Sequence, residues 1–114
     1  MRRFVMIPWE LYVRYDLDPV AREAYGILRG RWDLSLQDAD TWRDERGIYC
    51  VYPRDELRGV IGCSEPTLRR ALRDLQEAGL LEIRRAGRGQ PDRLYINRTI
   101  REQYEDMGKV LPLR

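Results

Sequence analysis

An α+β fold is the expectation for this chain, and three observations carry it. Apolar residues recur at helical spacing near residues 19–36, 53–61 and 65–78. Short segments rich in β-branched and aromatic side chains lie at 47–52, 81–86 and 93–96. Glycine or proline marks most of the junctions between them. A length of 114 residues suggests one domain with enough chain to bury a core without metal or disulfide.

Phe4 to Val13 mixes β-formers and aromatics around Pro8, which predicts a short strand followed by a loop or turn. Asp18-Pro19 reads as an N-cap followed by proline at the first helical position. Val20, Ala24, Ile27, Leu28 and Leu34 then predict a helix to about Leu36. Gly26 and Gly30 share one side of that helix, where they either admit a close neighbour or merely weaken it. After a polar stretch from Gln37 to Arg46, Gly47 to Tyr52 reads as a strand. Leu57, Val60 and Ile61 mark a short amphipathic helix within Pro53 to Ile61. Gly62-Cys63 breaks it, Ser64 caps a second helix, and Gly79 ends that helix after Ala78. Leu81 to Ala86 and Arg93 to Ile96 read as strands joined by a tight tip, Gly87 to Pro91. The order helix, strand, helix, turn, helix, strand, strand is that of a winged helix-turn-helix: a small helical core with a β-hairpin wing.

Composition restricts the function. The chain is 43% hydrophobic and 35% charged, the balance of a globular domain. No apolar run approaches the ~20 residues that span a bilayer, and the N-terminus lacks a signal-peptide core, so no membrane partner and a cytoplasmic location are expected. With no histidine, His-ligated metal sites and Ser-His or Cys-His pairs are excluded. A phosphate-binding G-x-x-x-x-G-K-[ST] loop is absent too, and Gly87-Arg88-Gly89 lies between strands rather than before a helix. Asp38 with Asp40, or Asp44 with Glu45, have the chemistry to hold Mg²⁺, but polar loops commonly carry such acids. The expectation is a protein without catalytic residues, metal or cofactor. Cys50 and Cys63, separated by twelve residues, read as small buried hydrophobes.

Net charge is only +2, but its distribution is uneven. Residues 1–52 carry eight basic and nine acidic side chains, whereas 53–98 carry ten arginines against seven acids. Arg84 to Arg98 holds five arginines and one acid, Asp92. Such concentration fits a phosphate-contacting surface. On the helix after Ser64, the apolar residues Leu68, Ala71, Leu72 and Leu75 face the core. Pro66, Arg69, Arg70, Arg73 and Glu77 fall on the opposite side. A major groove about 12 Å wide admits one helix, and arginine bonds guanine O6 and N7 in bidentate fashion. Ser64 and Thr67 add hydroxyls and amides where a phosphate can sit. The candidate recognition-helix residues are therefore Ser64, Glu65, Pro66, Thr67, Arg69, Arg70 and Arg73. Those of the wing are Arg84, Arg85, Arg88, Gln90 and Arg93. The partner they predict is double-stranded DNA. The competing reading of the helix alone is a solvated charged face, partly neutralised by Glu65, Asp74 and Glu77.

The run Leu57-Arg58-Gly59-Val60-Ile61-Gly62-Cys63-Ser64-Glu65-Pro66-Thr67-Leu68-Arg69-Arg70-Ala71-Leu72 resembles the bacterial helix-turn-helix signature. Joined to Phe4-Val5-Met6-Ile7-Pro8, Leu17 to Tyr25, Leu28 to Arg31, Leu34-Ser35, Trp42, Asp44, Gly47 to Tyr49, Tyr52, Ala78 to Glu82 and Gly87 to Ile96, it is similar to the N-terminal domain of the plasmid replication initiator protein A family of Gram-positive bacteria. The likeness covers about residues 4–97. It implies a homodimeric domain binding repeated sites in a plasmid origin. It also implies contact with host replication proteins through a C-terminal region beyond Arg114. The sequence departs from the family at Pro53, where a Ser or Thr cap is usual, and in its near absence of lysine. A transcriptional regulator of the same fold is the alternative function, because fold does not fix function. A nicking enzyme and a protein-interaction domain are the other classes considered.

The expected division is a DNA-binding domain over 1–98 and a tail over 99–114. Ile100, Tyr104, Met107 and Leu111 recur at helical spacing in that tail. The tail is either a short docked helix or the start of a linker; docking is favoured, since a linker would be richer in Pro, Gly and Ser.

Overall fold

The computed structural model describes residues 4–109, so Leu111 lies outside the described residues. The elements are α1 (Glu10–Val13), α2 (Pro19–Gln37), β1 (Arg43–Asp44), β2 (Gly47–Ile48), α3 (Arg54–Ile61), α4 (Glu65–Glu77), β3 (Leu81–Arg84), β4 (Arg93–Ile96) and α5 (Ile100–Asp106). Helices α2, α3 and α4 enclose the core, and the β3–β4 hairpin projects from it as a wing. The fold is a winged helix-turn-helix.

Helix α2 starts where its sequence dictates. Asp18 is extended, its Oδ1 accepts the Ala21 amide at 2.9 Å, and Pro19 occupies the first turn. The buried face runs through Ala21, Ala24, Tyr25, Leu28, Trp32 and Ser35. Leu34, expected in this stripe, is instead 61% exposed. Two aromatics with polar tips set the face. Tyr25 donates its hydroxyl to the Asn97 carbonyl at 2.7 Å, and the Trp32 indole donates to the Ile48 carbonyl at 3.0 Å.

The predicted strand within residues 4–13 does not form. Residues 4–8 are irregular, with no strand partner, and α1 follows. This segment lies on α2 at Gly26, where an added Cβ would come within 2.6 Å of a Val5 methyl and 2.9 Å of Ile7 Cγ1. Gly26 thus admits a close neighbour, whereas an added Cβ at Gly30 would meet nothing.

The 47–52 strand is also shorter than expected. Only Gly47–Ile48 belongs to a ladder, paired with an unforeseen β1 inside the polar stretch. Cys50 then bridges Leu94, each amide donating to the other's carbonyl at 2.9 Å, so one residue supplies the wing's third strand. In β3–β4 the register pairs Leu81 with Ile96 and Arg84 with Arg93. The hairpin opens at Arg84 rather than at Ala86, leaving a longer tip than predicted, residues 85–92.

Leu57 is buried in α3 but Val60 is 57% exposed, so the stripe there is narrower than the spacing suggested. In α4, Leu68, Ala71, Leu72 and Leu75 are all buried. Burial raises the Cys50 thiol to about 12, as befits a small core hydrophobe; Cys63 is only half-buried, and both thiols are free. No helix among the described residues is long and apolar enough to cross a membrane.

Candidate nucleic-acid interface

The turn between α3 and α4 depends on Gly62, whose φ of 82° is a left-handed conformation that side chains disfavour. Its amide donates to the Arg58 carbonyl at 2.7 Å, closing α3. Ser64 Oγ then accepts the Thr67 amide at 3.4 Å and donates to Thr67 Oγ1 at 3.0 Å, so the two hydroxyls at the start of α4 are engaged with each other. Pro66 is exposed beside them.

Arg69, Arg70 and Arg73 are all exposed on α4, with side chains 66%, 55% and 61% accessible. Each has an acidic neighbour. Arg69 lies 3.9 Å from Glu65, Arg70 lies 3.4 Å from Asp18 on α2's cap, and Arg73 lies 3.5 Å from Asp74 and 3.8 Å from Glu77. Exposed pairs of this kind hold the side chains only weakly, about 0.2–1 kcal/mol each, and can be exchanged for another anion. Glu65 has a further commitment: Arg54 and Arg58 of α3 approach it at 3.3 and 3.5 Å. It ties the two helices of the motif together rather than standing free on the surface.

The five wing residues divide. Arg84 donates to Glu45 at 2.6 Å and Arg93 to Asp44 at 2.7 Å, both carboxylates belonging to the β1–β2 hairpin. Arg46 pairs with Glu82 on β3 from the same hairpin. The Arg93 guanidinium also lies 4.4 Å from the centre of the Tyr49 ring. Asp44 receives the Tyr95 hydroxyl at 2.5 Å and the Arg46 amide at 2.8 Å besides. Burial pushes the Asp44 carboxyl up, but the bonds from Tyr95, Arg93 and Arg46 outweigh it and hold the group at about 2. By contrast, Arg85, Arg88 and Gln90 are exposed in the tip, where the Gln90 amide closes a turn on Gly87 at 3.1 Å. Among the described residues, no carboxylate lies within ion-pair distance of Arg85 or Arg88.

Asp18, Asp44 and Glu45 thus belong to the site although sequence reasoning left them out. A signal for the last two is present in Arg43-Asp44-Glu45-Arg46-Gly47, a charged turn whose Gly47 has a φ of 123°. Asp44 and Glu45, weighed above as magnesium ligands, are instead engaged by arginines. Among the described residues no group of three or more His, Cys, Asp or Glu is placed to hold a metal ion.

Three solved structures resemble this one closely. One described as the N-terminal domain of a DNA binding protein is 31% identical, with a TM-score of 0.69 over 97% of this chain and 91% of that chain. A second, described as the structure of a Rep-DNA complex, is 30% identical, with a TM-score of 0.70 over 97% of this chain and 92% of that one. A third, described as the structure of an MDR initiator, is 27% identical, with a TM-score of 0.66 over 94% and 88% of the two chains. No curated protein matches the chain. The model of the replication initiator protein A (RepA) N-terminus matches residues 3–109, nearly the whole length, and the chain belongs to that family.

Proposed function

We propose that this domain binds double-stranded DNA at direct repeats in a bacterial plasmid replication origin, as a homodimer in the cytoplasm, and that it does so as the DNA-binding module of an initiator with no catalytic residues of its own. The observation that carries the reading is the row Arg69, Arg70 and Arg73 on the exposed face of α4, next in sequence to a wing tip bearing Arg85 and Arg88. A helix inserted in the major groove would bring that row to base edges, while the tip would meet the backbone or minor groove. The likeness to a Rep-DNA complex at 30% identity supports the same partner.

The test separates base reading from phosphate contact. Arg69→Ala and Arg73→Ala should each weaken binding to the origin duplex by about 1–3 kcal/mol and relax base preference. Arg88→Ala should weaken binding to all duplexes about equally. Equal losses on origin and random duplexes for the helix variants would sink the recognition-helix assignment. Footprinting distinguishes an initiator, which protects several tandem repeats, from a regulator protecting one palindrome.

A further inference from the structure

The wing's basic residues are not equivalent, and the β1–β2 hairpin is what separates them. Arg84 sits on β3 and Arg93 opposite it on β4, so the pair marks the point where the hairpin opens into its tip. Both guanidinium groups turn to the β1–β2 hairpin, reaching Glu45 at 2.6 Å and Asp44 at 2.7 Å. The Asp44 side chain is 7% exposed and receives three donors, from Arg93, Tyr95 and the Arg46 amide. A carboxylate so satisfied is a fixed anchor rather than a loose counter-ion. Arg46 reaches across in the opposite sense to Glu82, so the contacts run in both directions between hairpin and wing.

We infer that Asp44 and Glu45 are positioning residues: they hold Arg84 and Arg93 away from nucleic acid, fix the pose of the tip, and leave the wing's phosphate contacts to Arg85 and Arg88. This rests on the DNA-binding reading above. For a phosphate to take Arg93 it must break a 2.7 Å charged bond and leave Asp44 short of a donor at a nearly buried site. Arg85 and Arg88 have no such bond to give up.

The test is the salt dependence of binding to a random duplex, measured with the full chain. Each phosphate neutralised contributes about 0.9 to the slope of log affinity against log salt. Arg85→Ala with Arg88→Ala should lower the slope by roughly 1.8, by the same relation for two phosphates. Arg84→Ala with Arg93→Ala should leave it unchanged. If that pair unfolds the domain, Arg84→Gln and Arg93→Gln, which keep donors for the carboxylates, carry the same comparison. The isosteric pair Asp44→Asn and Glu45→Gln should steepen the slope by releasing both arginines, and should lower the ratio of origin to random affinity. A role confined to stability would move the melting temperature and not the slope. The inference falls if the Arg84 and Arg93 variants lower the slope as much as the tip variants do. It falls also if the carboxylate variants leave the slope where it was. Absence of salt-dependent binding in the unaltered protein would instead overturn the DNA-binding reading itself.

Discussion

Asp18 serves two helices at once. Oδ1 caps α2 through the Ala21 amide, while Oδ2 lies 3.4 Å from the Arg70 guanidinium on α4. Asn caps a helix nearly as well as Asp, so Asp18→Asn removes the charge and keeps the cap. The melting temperature should hardly move. Affinity for random duplex should rise severalfold at about 0.1 M salt, as one more cation becomes free to meet phosphate. Asp18→Ala, in contrast, should cost about 1 kcal/mol of stability through the lost cap. Thermal melts and binding isotherms on the two variants separate the roles, and a stable Asp18→Asn with unchanged random affinity would show that the pair does not restrain Arg70. The cap was legible in Asp18-Pro19 because capping is local. The pairing was not, because the two residues stand 52 positions apart and only the packing of α2 on α4 joins them.

Helix α5 shows how an element can be held by its end rather than by its face. Ile100 and Tyr104 are 46% and 37% exposed and Met107 is 59% exposed, so the apolar stripe that predicted docking is not what secures it. The first turn is secured instead. The Ile100 amide donates to the Tyr15 hydroxyl at 3.2 Å, the Arg101 amide to the buried Glu10 carboxylate at 2.9 and 3.1 Å, and the Glu102 amide to Thr99 Oγ1 at 3.3 Å. Three of the four amides that open any helix thereby find side-chain acceptors, and a carboxylate at this end also suits the helix dipole. Glu102 completes a capping box and takes a two-pronged bond from Arg29 at 2.9 and 2.7 Å. Burial pushes the Glu102 carboxyl up, but the bonds from Arg29 and Thr99 prevail and lower it from 4.5 to about 2. Because the folded value is the lower one, this stabilisation is fully present above about pH 4.5 and is lost as pH falls from there toward 2. With Glu102 partly open to solvent, its worth is discounted to about 1–2 kcal/mol. Glu102→Gln should therefore lower the melting temperature at pH 7 and match the unaltered protein near pH 2.5; a constant gap across that range would remove the ion pair as its cause. Spacing alone cannot foresee this arrangement, since Glu10, Arg29 and Glu102 come from three distant parts of the chain.

At the scale of the molecule, the helix-turn-helix and the wing strands were legible because local chemistry punctuates them: Asp18, Ser64, Gly62 and Gly79 stand at helix ends in the order the fold requires. The β1–β2 hairpin was not, since its two-residue strands have no periodicity to read and make their main contacts with the wing. Exposed apolar area gathers on the N-terminal segment, where Phe4, Met6 and Trp9 are 78%, 76% and 62% accessible and Trp9 stacks on Tyr12 with ring centres 5.5 Å apart. Such a patch suits a second copy of the chain. Sedimentation at micromolar concentration should give a dimer mass, and Phe4→Ser with Trp9→Ser should give a monomer; a monomeric unaltered protein would discard the homodimer.

The bond from the Arg101 amide to Glu10 also has a mechanical meaning. It latches residues 10 and 101 together, so that tension arriving through the chain after α5 meets Glu10, Tyr15 and Arg29 before it reaches β4. Those three residues pass the load into α1 and α2, and the wing lies outside that path. Whatever pulls on the far end of the chain, the hairpin is shielded from the strain.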